Sequence, residues 1–505
     1  MTGKPKTLPK LLLDGRNDNR RPGKPNGDWF YQGSSCRPEG NPLATQIESG
    51  RGLPHSGRLG APSESPRFCA AQPGFVMIAT GAMNDADRFD HHEWTRRHFI
   101  KLGAAGMAGL GFWQRVSGAV RPPTHREAVP SSVLQKLEAS EPFFTLPKKF
   151  RDISRGKPLP HSLPEDKKRR AGLTRETWKL QVISDPEHPA TLRHPLEPKS
   201  GTELDFNGLL KLAEKHAVRF AKTMTCLNIG CPLGTGIWEG VPLREVVWLT
   251  QPRENLRRVF YYGFHNDDPA QLFRSSLPID RVLEDPFDLP PVILCYKLNG
   301  QWLDSERGGP VRMVVPEAYG FKSIKWLSHV VLTNLFHAND TYADGNNDVA
   351  SALKTFSATF PLPGSINSGK PIPVTGYAQV GISGLSKVQV SIQSNAVEVP
   401  PGDPYFTQAT WIDARILPPP KHWGGVPDGK IPADTLGFDP ATGRPHTWPM
   451  RLTKVHWAAS LSGLPAGQYT LRTRTIDGNG VAQPMPRPFQ KSGNAAIEAV
   501  EFSVK

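Results

Sequence analysis

The sequence predicts an α+β protein with two folded domains, the second of which is a β-sandwich. The first domain is indicated by a half-apolar run from Val218 to Met224 that ends at Cys226, followed by a Gly/Pro-rich loop and a short helical pattern beginning at Pro242. The sandwich is indicated by alternating short strands and turns after about residue 350. A chain of 505 residues has room for two or three domains with sizeable cores.

The composition is that of a globular protein with long loops. Charged residues make up 21% of the chain and hydrophobic residues 38%, while 51 Pro and 47 Gly are present. A net charge of +14 is typical of proteins that bind nucleic acid. However, residues 1–82 carry 11 Lys/Arg against 6 Asp/Glu and so contribute +5 of that charge. The remaining charge is spread out, without a basic helix or interleaved aromatics. We therefore expect no nucleic-acid binding.

Residues 1–82 are rich in Pro, Gly, Ser and Arg and have neither helical nor strand periodicity. They are expected to be disordered, or to be an extension assigned in error, with translation beginning at Met83.

Residues 83–119 resemble a twin-arginine export signal. Arg96 and Arg97 are paired, Phe99 and Lys101 follow, and a Gly/Ala-rich apolar run leads to Ser117-Gly-Ala. The run is too short for a stable membrane span. We expect the chain to be exported folded to the periplasm.

Cys226 is the first candidate functional residue, because a cysteine at a strand end beside a glycine loop suits a soft metal. The alternative is an ordinary core cysteine. The five cysteines contain no C-x-x-C pair, which argues against attached haem and a disulfide scaffold. A disulfide between Cys226 and Cys231, and a zinc site formed by these two with His265, remain open.

Two long segments resemble the sulfite oxidase family of molybdopterin oxidoreductases. The first runs from Cys226 through Trp238-Glu-Gly-Val-Pro242-Leu, and the second runs from Gly308-Gly-Pro-Val-Arg312 to Lys325-Trp326. The resemblance implies a sulfite-oxidase-type molybdopterin-binding domain over residues 130–347, with Cys226 as the protein ligand to molybdenum. It implies an immunoglobulin-like, dimerisation-type β-sandwich over residues 348–505.

The resemblance extends to two shorter elements. Arg155 matches an arginine that the family places beside the metal, whereas Gly156 and Lys157 stand where the family has Asn-His. Phe273 occupies a position that we match to a tyrosine near the metal-bound oxygen, so this residue has no hydroxyl to donate. Cys226, Arg155 and Phe273 are therefore the expected catalytic residues.

A pterin that carries a phosphate needs Arg and Lys cations, Ser hydroxyls and backbone N–H groups. The strand-loop-strand unit that ends at Lys325 supplies most of them. The expected cofactor-binding residues are Arg155, Gly156, Lys157, His265, Arg307, Arg312, Lys322, Ser323 and Lys325. Because Asp267-Asp268-Pro269 follows it, His265 is equally compatible with a simple turn.

The resemblance implies a mononuclear molybdenum enzyme without haem that transfers an oxygen atom and passes electrons to a separate acceptor such as a cytochrome c. It also implies homodimer contacts through the sandwich. The substrate is expected to be sulfite or a related oxyanion, but the loop after Cys226 contains no arginine. Reduction of a sulfoxide-type substrate, and a secreted metal-free binding module, are the alternatives.

Overall fold

The computed structural model of the chain describes residues 129–140, 142–345, 347–350, 352–363, 365–397, 403, 405–483, 491–493 and 495–505. The predicted export signal, residues 83–119, and the extension predicted before it, residues 1–82, lie outside the described residues. Within the described residues, no helix is long and apolar enough to cross a membrane.

The first half of the described chain contains two mixed sheets and short helices. The helices are α1 Ser131–Ser140, α2 Glu165–Arg170, α3 Phe206–His216, α4 Leu243–Leu249 and α5 Ile279–Leu283. The strands are β1 Lys179–Ser184, β2 Leu204–Asp205, β3 Val218–Thr225, β4 Pro232–Pro242, β5 Arg258–Gly263, β6 Arg274–Pro278, β7 Ile293–Leu298, β8 Gln301–Trp302, β9 Arg312–Val314 and β10 Leu327–Thr333.

In the second half, the residues that the structure describes form strands and no α-helix. These strands are β11 Phe356–Thr359, β12 Ile372–Gln379, β13 Lys387–Ser394, β14 Ile412–Asp413, β15 Arg415–Ile416, β16 Thr435–Leu436, β17 Lys454–Leu461, β18 Gly467–Ile476 and β19 Glu498–Val504. Two four-stranded sheets form, in the orders β11-β12-β17-β15 and β14-β13-β18-β19. Both contribute to one apolar core that includes Val374, Val390, Trp457 and Leu471, so they pack as a sandwich.

One sheet of the first half is five-stranded, in the order β2-β1-β10-β5-β6. Its strand β1 runs parallel to β10, and its largest core residues include Trp178, Leu180 and Tyr261. The helix α3 packs beside it because Leu209 on its apolar face is completely buried, while Asp205 caps its first turn by accepting from the N–H of Gly208.

The other sheet carries the candidate cysteine, in the order β16-β3-β4-β7-β8 with β9 added on β7. The predicted strand before Cys226 is confirmed as β3, which ends at Thr225. The predicted loop is much shorter than expected, because Pro232–Pro242 forms strand β4 along β3. Gly240 permits the pairing of β4 with β7 on its other side, since a Cβ there would lie 2.3 Å from the carbonyl oxygen of Leu294 on β7.

A buried lysine anchors β3 to the turn that follows β9. The Nζ atom of Lys222 donates to the carbonyl oxygens of Pro316 and Ala318 at 2.6 and 2.8 Å. Burial lowers the pKa of Lys222 to about 7, with Glu317 opposing the shift and Arg312 adding to it. The contact joins the strand that leads to Cys226 to the segment that follows Arg312.

A second buried lysine holds the chain after β10. Lys322 donates from Nζ to Asp340 Oδ2 and to the carbonyl oxygen of Ser276, both at 2.7 Å. Asp340 also accepts from the hydroxyl groups of Ser275 and Ser276. Burial lowers the pKa of Lys322, and Asp340 opposes that shift. The ion pair ties the segment around Asp340 to β6.

Lys322→Met is expected to reduce the free energy of unfolding by about 3–5 kcal/mol, because it leaves the Asp340 carboxylate buried without its cation. The matched control is Lys387→Met, whose partner Asp413 lies at 3.0 Å in an exposed ion pair. Loss of such a surface pair changes stability by about 1 kcal/mol or less. Denaturant unfolding measures both variants, and equal losses would contradict the role given to Lys322.

Candidate functional site

The loop after β3 closes tightly around Cys226. The N–H of Cys226 donates to the carbonyl oxygen of Cys231 at 3.4 Å, and the N–H of Gly230 donates to the carbonyl oxygen of Cys226 at 3.0 Å. Gly230 has a φ of 61°, a left-handed conformation that favours glycine. Cys226 is half-buried, Cys231 is 1% exposed, and both remain thiols. The predicted disulfide alternative is therefore not formed in this structure.

Cys226 lies on the wall of a cavity of about 160 Å³. The cavity brings together most of the residues singled out in the sequence, although they come from segments more than 150 positions apart. Those on its wall are Arg155, Gly156, Cys226, His265, Phe273, Arg307, Arg312, Ser323 and Lys325. Aromatic and aliphatic side chains, including Phe150, Met224 and Trp238, fill the spaces between the polar groups.

Three of the cations on this wall lie close to one another, with Arg307 and Arg312 buried and Lys325 half-buried. Arg312 donates from Nη1 to the carbonyl oxygen of Arg307 at 2.8 Å and from Nη2 to that of Ser323 at 2.5 Å. Burial lowers the pKa of Arg312 to about 10. Burial, followed by the charge of Arg312, lowers the pKa of Lys325 to about 8. The site therefore concentrates positive charge where water does not screen it.

Asp152 is the carboxylate that faces this group. Its Oδ1 accepts from Lys325 Nζ at 2.6 Å, and Lys325 also donates to Ser154 Oγ and to the carbonyl oxygen of Glu306. Burial raises the pKa of Asp152, but the hydrogen bonds from Lys325 and Ser154 outweigh it and hold the pKa below its usual range. Lys325 is thus held in place at the cavity wall.

Arg307 and Arg312 have buried N–H groups without a hydrogen-bond partner among the described residues. These groups are Nε and Nη1 of Arg307 and Nε of Arg312. Both side chains are 5% exposed. Buried donors of this kind are normally satisfied, and guanidinium groups suit phosphate oxygens. The residues present therefore fit an anionic cofactor in the cavity.

Two of the expected cofactor residues do not line the cavity. Lys322 forms the buried pair with Asp340 instead, because its side chain turns away from the cavity that its neighbours Phe321 and Ser323 line. Lys157 is exposed, and it is its backbone N–H that bonds Gln271 Oε1, at 2.8 Å. Gly156 does line the cavity, with a φ of 115° and with Pro158 and Pro160 so close that a Cβ would lie 3.0 Å from each. This crowding accounts for a glycine at that position.

Tyr342 also lines the cavity and was not predicted from the sequence. Its hydroxyl oxygen bonds two neighbouring side chains. It accepts from Arg155 Nη2 at 2.6 Å and from Asn228 Nδ2 at 3.2 Å. The Phe273 ring packs edge-on against Tyr342 at 5.1 Å, and the Arg155 guanidinium lies 4.2 Å from the Phe273 ring centroid. The Phe273 ring therefore packs against the Arg155 guanidinium, and Tyr342 supplies the hydroxyl that Phe273 lacks. No local pattern around Tyr342 marks it.

Arg151 was also missed. It lines the cavity and donates from Nη1 to Cys231 Sγ at 3.2 Å. Alternate residues from Arg151 to Lys157 are exposed, so Arg151, Ile153 and Arg155 face the same way at the cavity mouth. The sequence does not show this alternation, because Ile153, the one apolar residue of the segment, lies on the exposed side. The cavity therefore has two mouth arginines although the loop after Cys226 has none.

The described residues do not support the alternative of a zinc site formed by Cys226, Cys231 and His265. His265 lines the cavity, and its Nδ1 lies 3.3 Å from the carbonyl oxygen of Gly263. Among the residues described, no three His, Cys, Asp or Glu side chains are grouped so as to hold a metal ion. A site with Cys226 as a lone protein ligand, and the other ligands supplied by a cofactor, agrees with this arrangement.

Comparison with known proteins gives consistent matches. Residues 173–339 match the family model of the oxidoreductase molybdopterin binding domain. The chain is 29% identical over 256 residues to the protein-methionine-sulfoxide reductase catalytic subunit MsrP of Burkholderia mallei, covering 47% of this chain and 67% of that protein. It is 25% identical to mitochondrial sulfite oxidase of Mus musculus, covering 32% of each chain.

The similarity is partial for most relatives. The chain spans between 11% and 44% of the length of the sulfite oxidases and nitrate reductases that it matches. The structure of the sulfane dehydrogenase SoxCD from Paracoccus pantotrophus aligns with a TM-score of 0.45 and 16% identity, over 77% of this chain and 94% of that one.

The matched domain contains Cys226, Arg307, Arg312 and Lys325, the residues that gather at the cavity. Residues 173–339 are therefore an oxidoreductase molybdopterin binding domain, in a chain that is similar in sequence to sulfite oxidases and to a methionine-sulfoxide reductase subunit.

Proposed function

We propose that the protein transfers an oxygen atom to or from a small sulfur compound, using a mononuclear molybdenum-molybdopterin cofactor to which Cys226 is the protein ligand. One observation carries this proposal. The Cys226 thiol shares a cavity with buried arginines whose N–H groups have no partner among the described residues. A soft sulfur ligand and a cationic cradle are what such a cofactor requires.

Four side chains on the cavity wall, which we call the cationic cradle, would hold the anionic part of the cofactor: Arg307, Arg312, Ser323 and Lys325. Arg307 and Arg312 offer three unused N–H donors, and the Ser323 hydroxyl and the Lys325 ammonium lie on the same wall. When bound, the cofactor supplies two-electron oxygen-atom transfer. The protein supplies charge, orientation and the thiolate, and packs Phe150 and Trp238 against the cavity to limit water.

Arg155 and Tyr342 would bind the substrate. Arg155 is fixed over the Phe273 ring and bonded to the Tyr342 hydroxyl, so its charge is held at the cavity mouth. Both acceptor positions of that hydroxyl are occupied by Arg155 and Asn228, which directs its O–H outward to a substrate oxygen. Together with Arg151 this favours an oxyanion.

Sulfite is the proposed oxyanion. Its oxidation takes one oxygen from water and releases sulfate, two protons and two electrons, so a separate acceptor such as a cytochrome c would take the electrons one at a time. Similarity to mitochondrial sulfite oxidase supports this direction. The mouth arginines support an anionic substrate, because each charge-assisted hydrogen bond contributes about 1.5–3 kcal/mol.

The second candidate is reduction of a sulfoxide, which consumes two protons and two electrons and releases a sulfide and water. Similarity to the methionine-sulfoxide reductase subunit supports it. Apolar residues at the mouth support it as well, since Ile153 is 44% exposed there and Leu227 and Phe273 line the wall. An apolar substrate body packs against such residues.

The remaining proposals concern chain organisation. We propose that residues 130–347 form the cofactor domain and that residues 348–505 form a sandwich of the immunoglobulin-like class with dimer contacts. The two packed sheets of the second half support the latter. Residues 1–82 are proposed to be disordered or absent from the translated protein.

Cys226→Ser is expected to abolish turnover with both sulfite and sulfoxides while leaving the protein folded, because the cradle cations remain. Steady-state rates and thermal unfolding measure the two properties. The matched control is Cys295→Ser, because Cys295 is completely buried away from the cavity wall. An active Cys226→Ser enzyme would refute the metal-ligand role.

Tyr342→Phe is expected to reduce kcat/KM by about 10- to 100-fold, because one hydrogen bond to a charged substrate is lost. Tyr405→Phe, at an exposed tyrosine elsewhere, should change nothing. Assays with sulfite and an oxidant, and with a sulfoxide and a reduced dye, determine which reaction responds. If Tyr342→Phe retains full kcat/KM in both directions, the hydroxyl does not contact substrate.

We propose periplasmic residence through the twin-arginine segment. Replacing Arg96 and Arg97 with lysine should leave the chain in the cytoplasm, because paired arginines are read by the export receptor. Cell fractionation and the mass of the amino terminus measure the outcome. Equal export of the lysine variant would overturn this proposal.

A further inference from the structure

The residues on both sides of Cys226 are held by the second half of the chain. We propose that Gln379, on β12 of the sandwich, is a positioning residue that fixes the strand end presenting the Cys226 sulfur. The proposal rests on the proposed role of Cys226. It gives the sandwich a part in building the site, in addition to any part in dimer contacts.

The first contact is made immediately before the cysteine. Thr225 donates from Oγ1 to Gln379 Oε1 at 2.6 Å, and Gln379 Nε2 donates to the carbonyl oxygen of Lys354 at 2.7 Å. Thr225 and Gln379 are both 0% exposed. The Gln379 amide therefore bonds two segments. Its oxygen bonds Thr225 on the strand that leads to Cys226, and its nitrogen bonds Lys354 in the second half of the chain. A buried amide with both ends bonded has one orientation.

The second contact is made immediately after the cysteine. Leu227 is 4% exposed and packs in a cluster with Tyr319, Leu353 and Leu452. The backbone of Leu452 also accepts from the N–H of Thr223 at 2.7 Å. Residues beyond 348 therefore hold the chain on each side of Cys226.

The β3–β4 ladder does not supply this constraint by itself. Its register is regular from Val218 to Met224 and shifts between Met224 and Thr225. The extra residue at this shift is Leu233 on β4, so the ladder is locally disrupted although Thr225 pairs with Pro232 beyond it. The bond to Gln379 comes at the residue where regular pairing stops. This is the physical reason for assigning it a positioning role rather than a general structural one.

A third contact joins the second half of the chain to strand β3. Strand β16 pairs in parallel with β3, opposite Arg219 and Phe220. This pairing lies at the start of β3, several residues before Thr225. It secures the strand as a whole, whereas Gln379 secures the end that carries the sulfur.

The test uses the full-length chain free of cofactor and measures the rate at which iodoacetamide alkylates Cys226, followed by peptide mass spectrometry. Gln379→Leu and Thr225→Val each remove one side of the hydrogen bond. We expect each to raise the Cys226 alkylation rate by about tenfold, because a buried partner is lost and the strand end opens more often. Thr225→Ser keeps the hydroxyl and should restore the native rate.

Gln483→Leu is the matched control. Gln483 is a glutamine of the same half, 3% exposed, that bonds Thr475, Ser357 and Ala496 and does not contact β3. It should lower thermal stability as Gln379→Leu does and leave the Cys226 rate unchanged. The double variant Thr225→Val with Gln379→Leu should react no faster than either single variant, since both remove the same bond.

Equal Cys226 rates in the Gln379 and Gln483 variants would overturn the proposal, as would additive rates in the double variant. If Gln379→Leu does not fold, the comparison of Thr225→Val with Thr225→Ser decides in the same way. In the enzyme with its cofactor bound, Gln379→Leu should lower kcat and leave KM unchanged. An active Cys226→Ser enzyme would remove the proposed metal role, but the alkylation results would stand independently.

Discussion

The structure depends on positive charge buried around one cavity. Arg307, Arg312 and Lys325 lie there with Asp152 as the facing carboxylate. Burial disfavours the charged forms of Arg312 and Lys325, which is why the pKa of Arg312 falls to about 10 and that of Lys325 to about 8. An anion in the cavity relieves this penalty by accepting the unused N–H groups and raising both pKa values. The stability of the site and its affinity for an anionic cofactor have the same origin.

The two halves of the chain build this site jointly. Strand β3 pairs with β4 from its own half and with β16 from the other half. The Thr225–Gln379 hydrogen bond and the Leu227 cluster cross the same junction beside the sulfur. The strands after about residue 350 form two packed sheets of their own, but the position of Cys226 depends on residues from both halves of the described chain.

The sequence was sufficient for features that are local or belong to long motifs. The strand before Cys226, the helix after Pro242 and several strands after residue 350 were predicted from periodicity. The two long motifs contain four of the expected residues that line the cavity, namely Cys226, Arg312, Ser323 and Lys325. Tyr342 could not be predicted, because it reaches the cavity through a loop whose anchor is the buried Asp340–Lys322 pair. The same pair explains why Lys322 does not line the cavity, since its ammonium group bonds the Asp340 carboxylate inside the protein. The strand β4 was missed because its glycines, which suggested a loop, are needed where β7 and Phe150 approach closely.

The central claim is that this cavity holds a molybdenum-pterin cofactor through Cys226 and the buried arginines. Elemental analysis of the purified full-length protein, together with fluorescence of the oxidised pterin, tests it most directly. The account predicts about one molybdenum and one pterin per chain in folded protein made in a host that synthesises the cofactor. Correctly folded protein from such a host that contains neither would contradict it.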